Sequence, residues 1–202
     1  MELIQAHESN YSKGRQRAIK YIVLHYTGNY NDTAKANCKY FAEPNRNASA
    51  HYFVDRHRVL QSVKDTDVAW HCGGKTYVHP ICRNSNSIGV EMCTEWADGY
   101  FRIGKETEQN ALELVRGLME KYDIPAENVI RHYDVTGKKC PEPWVREPGK
   151  WEEFKRRLTG MTVEEAKAKV KEKYKFDDNT MLYLEMYRYG EQLIKRLAEG
   201  VQ

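Results

Sequence analysis

An α/β domain carrying a small helical appendage is the fold class this sequence predicts. Three observations predict it. Apolar runs of strand length alternate with segments of helical periodicity up to residue 158, the order expected of an α/β layer architecture. The pattern changes after Gly160, where short amphipathic helical segments follow. The 202 residues, 41% hydrophobic and 30% charged, are enough for one substantial core plus an annex without covalent staples.

The elements follow in order. Residues 18–27, AIKYIVLHYT, are β-rich and read as a buried strand. Residues 33–43 read as a helix. Beyond the polar stretch PNRNASA come two strands, 51–55 and 58–63. Residues 64–86, with Gly73, Gly74 and Pro80, read as a long irregular segment, and 87–93, SIGVEMC, as a strand. Over 105–122, Leu112, Val115, Met119 and Tyr122 recur at helical spacing. Residues 128–132 form a short strand, followed by a Gly- and Pro-rich loop and a helix at 150–158. In the appendage, Thr162 and Glu165 have capping-box spacing, and Val163, Ala166 and Val170 share a helical face. A second helix from about Asp178 carries an apolar stripe of Leu182, Met186, Tyr189, Leu193 and Leu197. The expected domains are therefore 1–160 and 161–202. Two short helices bury little by themselves, so the second region needs the main domain, a second copy or a ligand beside it.

A net charge of +3 mildly favours an anionic partner such as a cell wall and is too weak to imply nucleic acid. Residues 161–202 carry equal numbers of basic and acidic side chains, so they are no polybasic arm. Five cysteines cannot all pair within one chain and no CxxC is present; they read as mostly reduced thiols in a reducing compartment. The first residues lack the apolar run of a signal peptide, and no stretch approaches a membrane span. The expectation is synthesis in the cytoplasm without a signal peptide, and action on an outside substrate only after release.

Several residues could carry chemistry. His25 ends the apolar run YIVL, where it reads either as a loop-capping ring or as a site residue at the mouth of a buried strand. His132 also ends an apolar strand, and Cys140 follows in GKKCP. Two histidines and a thiolate make a plausible three-ligand zinc set with a fourth position open. Cys140 is alternatively a buried free thiol, although Lys138 and Lys139 beside it favour the thiolate. Glu91, inside the apolar run IGVEM, is either an outward surface residue of the pleat or an acid/base with a raised pKa. Lys138 is a solvated loop lysine or a cation placed to stabilise an oxyanion. The pair Trp70–His71 in a Gly-rich loop suits a sugar or peptide groove, or simply anchors the loop. No one of these signals is specific.

Together they are. LHYTG (24–28), SAHYFVD (49–55), AWHCGG (69–74), NSNSIGVEM (84–92) and RHYDVTGKKCP (131–141), in this order and spacing, resemble the type 2 N-acetylmuramoyl-L-alanine amidases, in the variety found in phage and prophage endolysins. The resemblance covers residues 18–158. It implies a central mixed β-sheet flanked by helices, with one Zn2+ at one end held by His25, His132 and Cys140. It further implies Glu91 as the catalytic glutamate, Lys138 as the oxyanion lysine, and peptidoglycan as the partner, cut between N-acetylmuramic acid and L-alanine. Tyr26, Thr27, His51, Trp70 and His71, inside the matching blocks, are the expected substrate contacts. Some relatives place a tyrosine where this chain has Ala50, which leaves Glu91 as the base. The alternative is a non-catalytic peptidoglycan-binding protein of the same fold, but all three ligands are present. A glycosidase would need two carboxylates in a cleft. Residues 161–202 lie outside the resemblance; by analogy they target the wall or form a homodimer through their helices.

Overall fold

A computed structural model describes residues 1–160 and 163–200. The chain forms two compact units, the first Met1–Lys155 and the second beginning at Arg156. The division falls inside a helix, slightly ahead of the break expected after Gly160.

In the first unit the strands are β1 (Glu2–Leu3), β2 (Tyr11–Ser12), β3 (Tyr21–Tyr26), β4 (Tyr52–Val54), β5 (Val59–Gln61), β6 (Val68–Ala69), β7 (Ser87–Met92), β8 (Glu95–Ala97), β9 (Tyr100–Arg102) and β10 (Val129–Arg131). The helices are α1 (Ala34–Ala42), α2 (Lys105–Tyr122), α3 (His132–Thr136), α4 (Glu142–Arg146) and α5 (Pro148–Leu158). Six strands make one mixed sheet in the order β1-β5-β4-β7-β3-β10, in which only β4 and β5 run antiparallel. The flanking helices complete the α/β architecture that the alternation of patterns predicts. β3 is apolar almost throughout because both its faces are covered; Ile22, Val23 and Leu24 have no exposed surface.

Parallel pairing fixes what shares a face. His25 lies opposite Glu91, Val23 opposite Gly89, and Tyr21 opposite Ser87. These residues point to the side where Tyr21, Val23, Cys72, Cys82, Ile130 and Val135 form a buried cluster. The irregular 64–86 segment therefore covers this face rather than lying loose. Arg15 fastens it, donating to the carbonyls of Asp65 (2.9 Å), Asp67 (2.8 Å), Ser85 (2.9 Å) and Ser87 (3.1 Å). The Asn84 side-chain oxygen accepts from the amides of His71 (3.1 Å) and Cys72 (2.8 Å). Two side chains thus give hydrogen-bond partners to six backbone groups of this segment and of the strand it meets.

Helix α1 begins where expected because Thr33 caps it, accepting from the Ala36 amide at 3.2 Å, while Asp55 accepts from the Ala34 amide at 2.9 Å. Helix α2 turns Ala111, Leu112, Val115 and Leu118 inward and stops at Asp123, which is left-handed with φ 51°. Helices α3 and α4 lie in the region read from sequence as a loop. His132 is consequently the first residue of α3, not the last of a strand.

The second unit holds α6 (Val163–Tyr174), α7 (Asp178–Met186) and α8 (Gly190–Glu199) around Ala166, Val170, Met181, Ile194 and Ala198. Val170 and Ala166 point inward as expected; the capping pair expected at Thr162 lies outside the described residues. The long helix expected from Asp178 is two. It breaks at Tyr187, and Gly190 opens α8 so close to the preceding turn that a Cβ there would lie 2.9 Å from the Glu185 carbonyl oxygen. The expected stripe is not the buried face: Leu182, Met186, Tyr189 and Leu193 are exposed, and Met181, Ile194 and Ala198 are buried instead.

Candidate metal centre and active site

β3, β7 and β10 are parallel neighbours, so their C-terminal ends open on one edge of the sheet, where sites form in open α/β folds. His25 is the penultimate residue of β3, Glu91 that of β7, and His132 follows β10 directly. The turn after α3, at Gly137 with φ 80°, brings the chain back so that Cys140 joins them. The ligand atoms of His25, His132 and Cys140 lie within 4.8 Å of one another, all three residues buried. The Cys140 Sγ to His25 Nδ1 distance is 3.7 Å.

These residues fit a metal ion. Both ring nitrogens of His132 are buried with no hydrogen-bond partner among the described residues, and so is Glu91 Oε2. Buried polar atoms left without partners are costly, and a cation among them removes the cost. Two imidazoles and a thiolate match a tetrahedral zinc with one position left open.

The electrostatics are those of a dry pocket. Burial holds His25 well below its ordinary pKa, helped by the neighbouring His71 and His132. Burial and then Lys138 depress His132 to about 4. Both rings are neutral at pH 7, as ligands must be. Burial and then the nearby Glu91 push the Cys140 thiol up to about 12, against a hydrogen bond from the Tyr26 backbone. A metal therefore has to displace the Cys140 proton on loading. Burial raises Glu91 to about 8, opposed by Lys138. Its Oε1 is 3.9 Å from His25 Nδ1, on the sheet face rather than outward to solvent. Lys138 is exposed on the loop before Cys140, and its charge reaches His132, Glu91 and Cys140.

The expected substrate contacts divide. Tyr26 is half-buried beside the centre, its ring edge-on to Phe101 at 6.1 Å. Thr27 turns its hydroxyl to Asp32 (3.1 Å), whose carboxylate also accepts from the Thr94 amide (3.0 Å) and Asn37 (2.5 Å); it ties two loops and α1 together. Trp70 is half-buried, with its indole nitrogen donating to Ser12 Oγ at 3.0 Å. His51 is placed differently from the expectation of a substrate contact. It has no exposed surface, its Nδ1 accepts from the Gly89 amide at 2.9 Å, and its Nε2 lies 2.8 Å from the Arg15 guanidinium. It faces the interior because β4 puts it on the covered side of the sheet. His71 also turns inward: its Nδ1 is 3.0 Å from His25 Nε2 and its Nε2 is 3.1 Å from Ser87 Oγ.

One feature escaped the sequence reading. The β8–β9 hairpin sets Trp96 and Phe101 against each other at 4.8 Å, with Tyr30 at 4.9 Å and 5.4 Å from them, a wall of rings beyond Tyr26. Its signal was present as Asp98-Gly99 between two aromatic runs; both turn residues have positive φ (53° and 82°), the signature of a tight hairpin turn.

Residues 15–143 match the family model for N-acetylmuramoyl-L-alanine amidase, Amidase_2. A probable N-acetylmuramoyl-L-alanine amidase of Bacillus licheniformis is 41% identical over 152 residues, which cover 71% of this chain and 42% of that protein. The chain thus spans about two fifths of the length of this curated relative. Among solved structures, PlyL is similar with a TM-score of 0.65 and 29% identity, covering 78% of this chain and 96% of PlyL. The catalytic domain of XlyA is similar with a TM-score of 0.63 and 26% identity, over 78% and 99%.

Proposed function

This chain belongs to the N-acetylmuramoyl-L-alanine amidase family, and from that premise we propose that it hydrolyses peptidoglycan at the amide joining N-acetylmuramic acid to L-alanine, with one zinc ion held by His25, His132 and Cys140. The observation that carries the reading is the buried convergence of those three ligands beside Glu91, whose Oε2 is buried. Bound there, zinc supplies Lewis acidity toward water and the scissile carbonyl. His25 and His132 bind as neutral imidazoles and Cys140 as its thiolate. Glu91 takes a proton from the attacking water and returns it to the departing amine nitrogen of L-alanine, without which an amide nitrogen leaves poorly. Lys138 places its ammonium toward the tetrahedral oxyanion. The wall of Tyr30, Trp96 and Phe101 offers flat apolar surface suited to sugar rings.

Mass spectrometry of purified walls after digestion tests the bond cut. New N-terminal alanine with intact glycan strands is the expected product. Binding to walls with no new termini would instead mark a recognition protein.

Lys138→Ala is expected to keep zinc and lower turnover on the order of 10²-fold, the usual cost of losing one oxyanion donor. Steady-state kinetics on a soluble muropeptide separate the roles; a change confined to KM would make Lys138 a binding residue.

The second unit is proposed to target the enzyme or join two copies, with no part in the chemistry. A chain ending at Gly160 keeps α5 whole and is expected to bind zinc and cleave soluble muropeptides while losing activity on whole cells. Sedimentation of both forms reads any change of oligomeric state. A truncated chain that folds but leaves soluble substrate intact would put the second unit in the active site.

A further inference from the structure

His71 lies in a loop of the segment that covers the sheet, yet its ring is seated against the backbone of a central strand. The seat exists because residue 89 is glycine. A Cβ there would stand 2.7 Å from His71 Nδ1 and 2.8 Å from Cδ2, closer than real side chains approach. Gly89 does not have a positive φ, so its backbone conformation makes no demand for glycine. The ring of His71 does.

From this seat a single hydrogen-bond chain runs to the metal centre. Ser87 Oγ donates to the Arg83 carbonyl oxygen at 2.8 Å. A carbonyl only accepts, so the one hydroxyl proton of Ser87 is spent there. Ser87 Oγ, 3.1 Å from His71 Nε2, must then accept, which puts the His71 proton on Nε2. His71 Nδ1 is left as an acceptor, 3.0 Å from His25 Nε2, which must donate. A neutral His25 with its proton on Nε2 has its lone pair on Nδ1, the atom that lies 3.7 Å from Cys140 Sγ.

We propose that His71 is a positioning residue for the metal, locking His25 in the tautomer and ring orientation that present Nδ1 to the ion, and that Gly89 is glycine to make room for it. The inference rests on the reading of His25, His132 and Cys140 as ligands. It makes a residue of the covering loop part of the metal site without contact to the metal or the substrate. Such outer partners typically contribute about 10- to 100-fold in metal affinity.

Two measurements on the full chain test this. Long-range ¹H–¹⁵N correlation spectra of the zinc-loaded wild type read each histidine tautomer directly. His71 protonated on Nε2 and His25 bound through Nδ1 is the expected result; His71 protonated on Nδ1 overturns the proposal with no variant needed. Zinc affinity by competition with a chromophoric chelator is the second. His71→Phe, which keeps a ring and loses the acceptor, is expected to bind zinc about 10- to 100-fold more weakly. His71→Asn, whose side-chain oxygen stands where Nδ1 was, is expected to recover most of that loss. Gly89→Ala is expected to weaken zinc in the wild-type background and to do so far less beside His71→Ala, since the methyl then fills vacated space. If His71→Phe binds zinc as tightly as the wild type, His71 has no positioning role. If the wild type itself fails to bind zinc, it is the ligand assignment that falls, and the role of His71 with it.

Discussion

His132→Ala is expected to abolish both zinc binding and wall hydrolysis while leaving the metal-free fold nearly as stable as before. Losing a direct ligand should exceed the roughly 10- to 100-fold that outer partners contribute. The unusual half of the expectation is the stability. In the metal-free protein both His132 nitrogens are buried with no hydrogen-bond partner among the described residues, so the ring contributes packing but carries a polar penalty. Alanine removes the two together. Zinc binding to the native state alone stabilises it by about 4 kcal/mol at a thousandfold excess over Kd. Wild type should therefore melt at higher temperature as zinc is added and lose the gain to a chelator, and His132→Ala should melt at one temperature throughout. Calorimetry with and without zinc, beside metal analysis, measures both. Zinc content equal to wild type in the variant would remove His132 from the ligand set.

The residues of this centre differ in how far their sequence context reveals them. His25 and His132 each stand at the end of an apolar run and Glu91 inside one, and such runs become the parallel strands whose ends converge. That convergence makes polar residues in apolar surroundings readable. Cys140 is less so, because it sits in the turn between two short helices, α3 and α4, which the sequence pattern of this Gly- and Pro-rich stretch does not reveal. The roles of His51 and His71 are not local at all. Both follow from which face of the sheet each ring meets, and for His71 from the empty space over Gly89, a contact between residues far apart in the chain. In the second unit the apolar spacing was genuine, but a helical stripe presumes an unbroken helix. The helix breaks at Tyr187, and on each side of the break the buried face lies one position from the expected one: Met181 rather than Leu182 in α7, and Ile194 rather than Leu193 in α8.

Glu91→Gln is expected to cost about 10²- to 10⁴-fold in turnover, the range for a general acid–base group, with zinc retained. It should at the same time stabilise the metal-free protein above neutral pH. Burial, opposed by Lys138, raises the Glu91 pKa from 4.5 to about 8 in the metal-free protein, so between those values the native state holds a proton that the unfolded chain has released. Where the native state binds more protons, stability falls as pH rises. The carboxyl thus costs nothing near pH 4.5 and its full penalty, roughly 5 kcal/mol, above pH 8. Glutamine has the same shape and no charge to bury, so metal-free Glu91→Gln and wild type should be equally stable at low pH and diverge with alkalinity. The His25 and His132 contributions are common to both proteins and cancel in the comparison; the Cys140 thiol, which the Glu91 charge helps to push up, is eased in the variant and adds to the divergence in the same direction. Zinc narrows the gap, because a divalent cation near Oε1 favours the carboxylate and pulls its pKa down. Urea denaturation of both proteins between pH 5 and 9, with and without zinc, reads the divergence. Parallel curves in the metal-free series would mean that Glu91 ionises freely, and a turnover within about threefold of wild type would take it out of the proton transfer. The combination expected, a variant more stable and nearly inactive, follows from one cause: the desolvation that makes this carboxylate costly to charge is what lets it hold and release a proton at the pH where the reaction runs.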